Sequence, residues 1–401
     1  MTRIAKRLDG VSESATLKLN ALVQAMKTQG IDVINLTAGE PDFNVPDASK
    51  AAVQEALAAN RSKYTPAPGI PELRTLIAEK TNRQQPAMVA AHRPWKSTDV
   101  VVTNGGKQAI YNAMMALLDP GDEVLIPAPY WLSYPEMAKL SGGTPKFIDA
   151  PFSQGFKITP SQLENSLTAK TRLILFNSPS NPTGAMYTRE EFERLGRVIR
   201  DSKVALDAWV LSDEIYDRII LGTEPFTSFL DANPALRERV ITVNGMSKSS
   251  AMTGWRIGWS VAPEAITQAM ITLQGQSTSG INALAQWASV AALKLPESAF
   301  SDQVSRFRSR RDLALEILGK AGKIELAAPE GAFYVFAGLK EYLRPGEDSM
   351  GFAERLLEQA KVAVVPGTPF GKSDFVRLSF ATDEKSLEAG CRRLVEYLSR
   401  G

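Results

Sequence analysis

Cysteine and histidine are almost absent from this chain of 401 residues, which contains only Cys391 and His92. A single thiol cannot form an intrachain disulfide, and one thiol with one imidazole cannot complete a zinc site of Cys and His ligands. Hydrolase chemistry of the Ser/His/Asp or Cys/His kind would have to use His92. That residue lies in segment 89–97, which is rich in Ala, Arg and Pro and is predicted to be a surface loop. We therefore expect chemistry based on lysine, carboxylates, arginine or a cofactor.

Long apolar runs and a charge imbalance are also missing. The longest apolar stretches, such as 100–102 and 173–176, are far shorter than the ~20 residues that a membrane-spanning helix needs. No apolar segment follows the three basic residues among the first ten, so we predict no secretory signal and a cytoplasmic protein. The net charge is +2, from 46 Lys and Arg against 44 Asp and Glu, with no long basic run. We expect neither nucleic acid nor a membrane as a partner.

The length and hydrophobic content predict two domains around large cores. Hydrophobic residues make up 44% of the chain, and its length exceeds that of one ordinary core. From about residue 98, short β-branched runs alternate with helical patterns such as 107–118, which predicts an α/β fold with a mainly parallel sheet covered on both faces. The predicted strands are 100–103, 123–126, 172–176, 209–212, 240–243 and 256–261.

The pattern changes after about residue 285. Long amphipathic helices are predicted at 301–319 and 352–359, with a strand pair near 331–336 and 377–380, which indicates a smaller α+β domain. A helix predicted at 17–29 precedes the sheet, and we expect it to pack with this C-terminal part. The predicted domains are an N-terminal arm and part of the small domain (1–44), a large domain (45–285) and a small domain (286–401).

Polar residues follow four of the predicted strands, at 104–107, 177–184, 213–216 and 244–248. Because ligands bind beyond the carboxyl ends of parallel strands, we expect these loops to converge on one site. Gly105 and Gly106 open a helix whose N–H groups can approach a phosphate. Together with the carboxylate of Asp213 and the amine of Lys248, this set matches what pyridoxal phosphate needs, although each feature alone is ordinary.

Several segments in a defined order carry a resemblance to a known family: LTAGEPDF (36–43), Tyr64 with GIPELR (69–74), PYWLSY (129–134), NPTG (181–184), SDEIY (212–216), SK (247–248) with MTGWRIG (252–258), GAFY (331–334) and VRLS (376–379). The chain resembles class I aminotransferases of the aspartate aminotransferase type, and most closely the bacterial aspartate/prephenate branch. The resemblance implies the type I fold of pyridoxal phosphate enzymes, with a mainly parallel seven-stranded sheet in the large domain and a smaller α+β domain.

The resemblance also implies roles around the cofactor ring. Lys248 is implied as the Schiff-base lysine that later moves the substrate proton. Asp213 is implied to pair with the ring nitrogen, which lets the ring accept electrons. Asn181 and Tyr216 would bind the ring oxygen, and Trp131 would stack on the ring. Lys248, Asp213 and Tyr216 are therefore the predicted catalytic residues.

Other residues are implied to hold the phosphate and the substrate. The phosphate would be bound by Gly105, Gly106, Ser247 and Arg256, with Lys107 beside them and Tyr64 reaching in from a second subunit, which implies a homodimer with shared active sites. Arg377 would grip the α-carboxylate of the substrate with its two-pronged guanidinium, next to the Gly39 backbone, Trp131 and Asn181.

The sequence departs from the best-known aspartate aminotransferases where those enzymes lend an arginine to the neighbouring site. Segment 274–280 contains no such arginine. In the similar bacterial branch, a lysine at the place of Lys107 binds the side-chain carboxylate, together with a small polar stretch that resembles 14–16 and includes Thr16. Relatives that use prephenate carry an N-terminal arginine where this chain has Gly10, with Arg7 nearby.

The implied reaction is transfer of an amino group from L-aspartate to 2-oxoglutarate by a ping-pong mechanism through a pyridoxamine form. Prephenate or arogenate as a further substrate stays open. So do an aromatic or alanine aminotransferase and a β-lyase on the same scaffold, which substrate assays would separate. A non-catalytic regulator on this fold is a further alternative, because fold alone does not fix function.

Overall fold

The structure is a computed structural model that describes residues 4–13 and 15–400, without the side chains of residues 16 and 17. Within these residues the helices are α1 (Ala15–Thr28), α2 (Asp47–Ala58), α3 (Pro71–Gln84), α4 (Pro86–Ala91), α5 (Gly106–Leu117), α6 (Ser133–Leu140), α7 (Pro160–Ser166), α8 (Arg189–Asp201), α9 (Phe229–Ala232), α10 (Met246–Ser249), α11 (Glu264–Ser277), α12 (Ala283–Leu293), α13 (Ser301–Leu318), α14 (Ser349–Ala360) and α15 (Glu384–Ser399).

The strands of the same residues form three sheets. They are β1 (Ile34–Asn35), β2 (Val100–Asn104), β3 (Glu123–Ala128), β4 (Thr144–Asp149), β5 (Thr171–Asn177), β6 (Trp209–Asp213), β7 (Val240–Gly245), β8 (Ile257–Val261), β9 (Tyr334–Gly338), β10 (Val362–Ala363), β11 (Val365–Pro366) and β12 (Phe375–Ser379).

The largest sheet has seven strands in the order β2-β8-β7-β6-β5-β3-β4. Its neighbours are parallel except at β8, which runs antiparallel to both β2 and β7. The predicted strands are confirmed, and so is the mainly parallel α/β sheet. The prediction missed β4, an edge strand whose side chains are mostly exposed and which therefore lacks an apolar run.

The central strands of this sheet are buried on both faces. In β5, Leu173 and Leu175 pack on one side against apolar residues of α5, α6 and α11. Ile174 and Phe176 point to the other side, where α3, α8 and α12 supply the partners. Alternation along the strand therefore sends an almost continuous apolar run into two separate cores.

The C-terminal part has a core of its own. Strands β11, β12 and β9 form an antiparallel sheet, and Phe307, Phe333 and Phe352 are buried among residues of α13, α14 and α15. Strand β1 pairs in parallel with β10, which places Ile34 opposite Val362. Val23 of α1 belongs to a small cluster with Leu357 of α14, so the N-terminal helix packs with the C-terminal part, as expected from the sequence.

The domain limits stay a prediction. Helix α12 begins at Ala283, so the predicted limit at residue 285 falls inside this helix. Ala285, Ala288 and Leu293 of this helix belong to the core on one face of the large sheet. We propose that the large domain continues to the end of α12.

The prediction of a surface loop at 89–97 holds for 92–96, most of which is exposed, but it is wrong at the start of the segment and for the side chain of Trp95. Helix α4 extends into it as far as Ala91, and Trp95 is only 3% exposed. The indole N–H of Trp95 donates to Gln85 Oε1 at 2.9 Å, so the segment is anchored in the core by its aromatic side chain. His92 itself is exposed, with Nε2 2.9 Å from the Pro234 carbonyl oxygen.

Across residues 4–13 and 15–400, no helix combines the length and the apolar character required to cross a membrane.

Candidate active site

A cavity of about 640 Å³ lies at the carboxyl edge of the seven-stranded sheet. Loops after β3, β5, β6 and β7 meet there with the starts of α5 and β8, and strands β9 and β12 of the smaller sheet close one side. The structure thus brings together most of the predicted site residues. Those lining the cavity are Gly39, Gly106, Lys107, Trp131, Asn181, Asp213, Tyr216, Ser247, Lys248, Arg256 and Arg377.

The antiparallel direction of β8 delivers Arg256 to this edge. Because β8 runs opposite to its neighbours, the residue before its first position lies beside the carboxyl end of β2. Arg256 donates from Nη2 to the Asn104 carbonyl oxygen at 3.2 Å and from Nη1 to the Thr253 carbonyl oxygen at 2.9 Å. The guanidinium therefore lies against the start of α5.

Glycine is required where Arg256 meets the start of α5. Gly105 has φ +80°, and a Cβ there would stand 2.5 Å from Arg256 Nη2. A Cβ on Gly258 would stand 2.2 Å from the backbone nitrogen of Gly106. The N–H groups that open α5 and the guanidinium thus form a cradle of positive charge that suits a phosphate.

Lys248 follows β7, on the short helix α10, and points into the cavity. Its Nζ donates to the Gly39 carbonyl oxygen. Burial lowers the pKa of this amine to about 8, and the charges of Arg377 and Arg256 act in the same direction, while Glu40 and Asp213 oppose them. The amine is therefore easier to deprotonate than an ordinary lysine, as a nucleophile or base must be.

Asp213 lies at the end of β6 and is only 5% exposed. Its Oδ2 accepts a hydrogen bond from the hydroxyl of Tyr134 at 2.7 Å, and its Oδ1 accepts one from the Ile215 N–H at 3.2 Å. Burial raises the pKa of the Asp213 carboxyl to about 6, although both hydrogen bonds oppose the rise. The ionised carboxylate would thus be stabilised by a cationic N–H group of a ligand.

Arg377, on β12, is 3% exposed and forms the opposite wall. Its Nη1 donates to Asn181 Oδ1 at 2.8 Å and its Nη2 donates to the Thr37 carbonyl oxygen at 3.1 Å. The guanidinium carbon lies 4.3 Å from the centre of the Tyr334 ring. No carboxylate of the described residues pairs with this buried cation, which leaves its charge available to an anionic ligand.

Lys107 extends along the cavity wall near Trp131. Its Nζ lies 3.3 Å from Ser133 Oγ and 4.9 Å from the centre of the Trp131 ring. The side chain stays accessible to solvent, yet desolvation, followed by the charge of Arg256, lowers the pKa of the Lys107 amine. Lys107 is therefore a cation at the cavity wall rather than only a solvated helix residue.

Some predicted residues lie elsewhere. Tyr64 is 99% exposed and does not line the cavity of its own chain. Gly105 does not line the cavity, and it lies against the guanidinium of Arg256. Arg7 is exposed and does not line the cavity either. Ser14 and the side chain of Thr16 are outside the described residues, so their substrate contact stays a prediction.

Tyr134 and Tyr334 lie within the motifs at 129–134 and 331–334, but the sequence predicts no role for either. Asn20 and Gln24 of α1, which line the cavity, were not predicted. Their four-residue spacing puts both amides on one helix face, and this was the only signal in the sequence. The sequence does not show that the face turns towards the site, because that depends on how β1 pairs with β10.

The family model for aminotransferase class I and II matches residues 31–394. Since this match covers most of the chain, the protein belongs to the class I and II aminotransferase family, which confirms the family predicted from the motifs. The seven-stranded sheet with its smaller partner is accordingly the type I fold.

Individual relatives agree with this placement. An aspartate/prephenate aminotransferase of Cereibacter sphaeroides is 42% identical over an alignment of 407 positions, gaps included, that covers 99% of each chain. The aspartate aminotransferase of Bacillus subtilis is 39% identical over 400 residues, again with 99% of each chain covered. The solved structure of the Thermus thermophilus aspartate aminotransferase with maleate has a TM-score of 0.91 and 40% identity, covering 99% of this chain and 100% of that one.

The raised pKa of Asp213 predicts a pH dependence of stability. Between the usual carboxyl pKa and about 6, the folded chain binds a proton that the unfolded chain has released, so the unfolding free energy falls as pH rises. In ligand-free protein, the wild type should lose on the order of 2 kcal/mol more than Asp213→Asn between about pH 4.5 and 7. Urea unfolding at several pH values measures this difference.

The control is Asp47→Asn, which removes an exposed carboxylate whose pKa is lowered by its hydrogen bond with Lys50. Asp47→Asn should not flatten the pH dependence of the unfolding free energy in the way that Asp213→Asn does, because the pKa of Asp47 is lowered whereas that of Asp213 is raised. Parallel pH curves for wild type and Asp213→Asn would contradict the assignment.

Proposed function

We propose that this protein is an aspartate aminotransferase that transfers the amino group of L-aspartate to 2-oxoglutarate with pyridoxal 5'-phosphate as cofactor. The observation that carries the proposal is the convergence of Lys248, Asp213, Arg256 and Arg377 on one cavity. Two cations, a carboxylate and a lysine of lowered pKa match the demands of this cofactor and an amino-acid substrate. The names of the relatives agree with the proposed substrate.

The residues present suit the cofactor. The cradle formed by the opening N–H groups of α5, from Gly106 onward, and by Arg256, with Ser247 beside it, would hold the phosphate. Gly105 would contribute indirectly, because its own N–H donates to the Thr103 carbonyl oxygen and its missing side chain leaves room for Arg256. Asp213 would hold the ring nitrogen. When bound, pyridoxal phosphate supplies an acceptor for the electron pair left on the substrate α-carbon. Asp213 would support this, because its buried carboxylate would stabilise a protonated ring nitrogen.

Further side chains orient the ring. Asn181 and Tyr216 would bind the ring oxygen, and Trp131 would cover the ring face. The Asn181 backbone N–H donates to Asn177 Oδ1 at 2.8 Å, while its side chain accepts from Arg377. This double attachment fixes the Asn181 amide beside Arg377, where it would lie between cofactor and substrate.

Lys248 would carry the cofactor and then move the substrate proton. With a pKa lowered to about 8, a useful fraction of its amine is neutral near neutral pH. The Gly39 carbonyl oxygen accepts a hydrogen bond from Nζ and so holds the amine inside the cavity. The amine can therefore take up and release a proton without being fully exposed to water.

Arg377 and Lys107 would bind the two carboxylates of aspartate. The guanidinium of Arg377 suits the α-carboxylate because two of its nitrogens can bind both oxygens. Segment 274–280 cannot lend an arginine, and Gln274 has a structural task, since its Nε2 donates to the Val102 carbonyl oxygen at 2.8 Å. Lys107 is the cation left at the cavity wall for the side-chain carboxylate.

The proposed working unit is a homodimer with shared sites. Tyr64 lies on the surface at 99% exposure, far more than a tyrosine that serves its own core. A two-fold axis can bring the same exposed loop to the opposite site twice. Tyr64 would thereby reach the phosphate cradle of the neighbouring chain.

Lys248→Ala should lose the visible absorption of the bound cofactor and about 10²- to 10⁴-fold or more in transamination, because both the covalent attachment and the base are removed. Borohydride reduction of the wild type followed by peptide mass spectrometry should place the adduct on Lys248. The control Lys50→Ala removes an exposed lysine and should behave as wild type. An adduct on another lysine would overturn the assignment.

Lys107→Met should lower kcat/KM for aspartate about 10- to 100-fold, the range for a lost hydrogen bond to a charged group, while alanine is affected little. The assay compares aspartate, glutamate, tyrosine, alanine and arogenate as donors to 2-oxoglutarate. The matched control is Lys139→Met, because Lys139 is paired with Glu136 on α6 and does not line the cavity. Equal losses for all donors would show that Lys107 serves the cofactor or the fold instead.

Shared sites predict complementation between two defective chains. In a mixed dimer of Lys248→Ala and Tyr64→Ala chains, one site lacks both residues and the other has both, so about half of the wild-type activity should return. If each site were built from a single chain, every site of the mixed dimer would lack either Lys248 or Tyr64, and no activity would return. Active protein at the 43.6 kDa mass of one chain, or mixed dimers without restored activity, would refute the proposal.

A further inference from the structure

Two buried tyrosines meet inside the cavity. The hydroxyls of Tyr216 and Tyr334 are 3.0 Å apart, and the two side chains are 3% and 1% exposed. Within the part of the chain that the structure describes, neither hydroxyl has another hydrogen-bond partner. The contact links the loop after β6 of the large sheet to the first residue of β9 in the smaller sheet.

Tyr334 also contacts the proposed carboxylate-binding arginine. Strands β9 and β12 are antiparallel neighbours, with Tyr334 opposite Ser379 and Phe336 opposite Arg377. Tyr334 and Arg377 are therefore diagonal neighbours on one face of the sheet. The Tyr334 ring lies 4.3 Å from the guanidinium carbon, so one side chain touches both the substrate arginine and Tyr216.

The direction of the hydrogen bond between the two hydroxyls decides what it does. Burial raises the pKa of both tyrosines, so each keeps its single proton at neutral pH. If Tyr216 donates to Tyr334, its proton points away from the cofactor. If Tyr334 donates to Tyr216, the proton of Tyr216 is left free for an acceptor in the cavity, and the two bonds reinforce each other.

We propose that Tyr334 is a positioning residue whose hydroxyl donates to Tyr216 and thereby directs the Tyr216 proton to the ring oxygen of the cofactor. The inference rests on the proposed function, which supplies that acceptor. Tyr334 acts through Tyr216 and needs no contact with the cofactor. Its ring meanwhile packs on Arg377, so the hydroxyl and the ring serve different partners.

The test is the pH midpoint of the visible absorption of the cofactor-loaded enzyme, compared between wild type and Tyr334→Phe. A hydroxyl that donates to the ring oxygen stabilises its anionic form and lowers this midpoint. Loss of the Tyr334 donor weakens that bond, so the midpoint should rise by roughly 0.5 pH unit. Because phenylalanine keeps the ring on Arg377, KM for aspartate should change less than twofold.

An unchanged midpoint would overturn the proposal, and so would a lower one, since a fall means that Tyr216 had been donating to Tyr334. The same substitution in a Tyr216→Phe background adds a second measurement. There Tyr334→Phe should shift the midpoint no further, whereas an undiminished shift would show that Tyr334 acts by another route.

Tyr342→Phe is the matched control, because its hydroxyl donates to the Ala321 carbonyl oxygen outside the cavity. It should leave the midpoint unchanged. Failure of this inference is distinct from failure of the proposed function: a wild type without a visible cofactor band or a Lys248 adduct refutes the function. A normal wild type with an unshifted Tyr334→Phe refutes only the role of Tyr334.

Discussion

The close approach of β8 to the start of α5 is the constraint on which the site depends. Strand β8 is antiparallel inside an otherwise parallel sheet, so its first residues lie where the other strands end. A glycine at 258 is needed to leave room for the backbone of Gly106, and a glycine at 105 adopts φ +80° and leaves the Arg256 guanidinium in its place. These backbone contacts place the guanidinium and the N–H groups of α5 around one point, next to the loop that carries Lys248.

Burial then gives the charged groups of the site their properties. Desolvation raises the pKa of the Asp213 carboxyl and lowers that of the Lys248 amine, so both groups are closer to exchanging protons than they would be in water. Arg377 faces the cavity as a buried cation whose donors reach only neutral oxygens. A ligand with an anionic phosphate, a cationic ring nitrogen and a carboxylate would compensate each of these charges.

Much of the site could be predicted because its residues follow strand ends. Asp213 ends an apolar strand and Lys248 follows the next one, so sheet topology alone brings them to one edge. Arg377 came from the family resemblance, since no local pattern connects a residue of the small sheet with this edge. The burial of Trp95 was not predicted, because the Ala, Arg and Pro content around it is typical of exposed loops and does not show that one indole anchors the segment in the core.

The sequence by itself determined the alternation of strands and helices, the polar loops at the strand ends and the family, because these depend on local periodicity and on short motifs. Only the tertiary structure decided that Tyr334 meets Tyr216, that Asn20 and Gln24 face the cavity, and that Tyr64 is left exposed. These contacts join segments far apart in the chain. They depend on how two sheets and the N-terminal helix pack together, and no periodicity within one element contains that information.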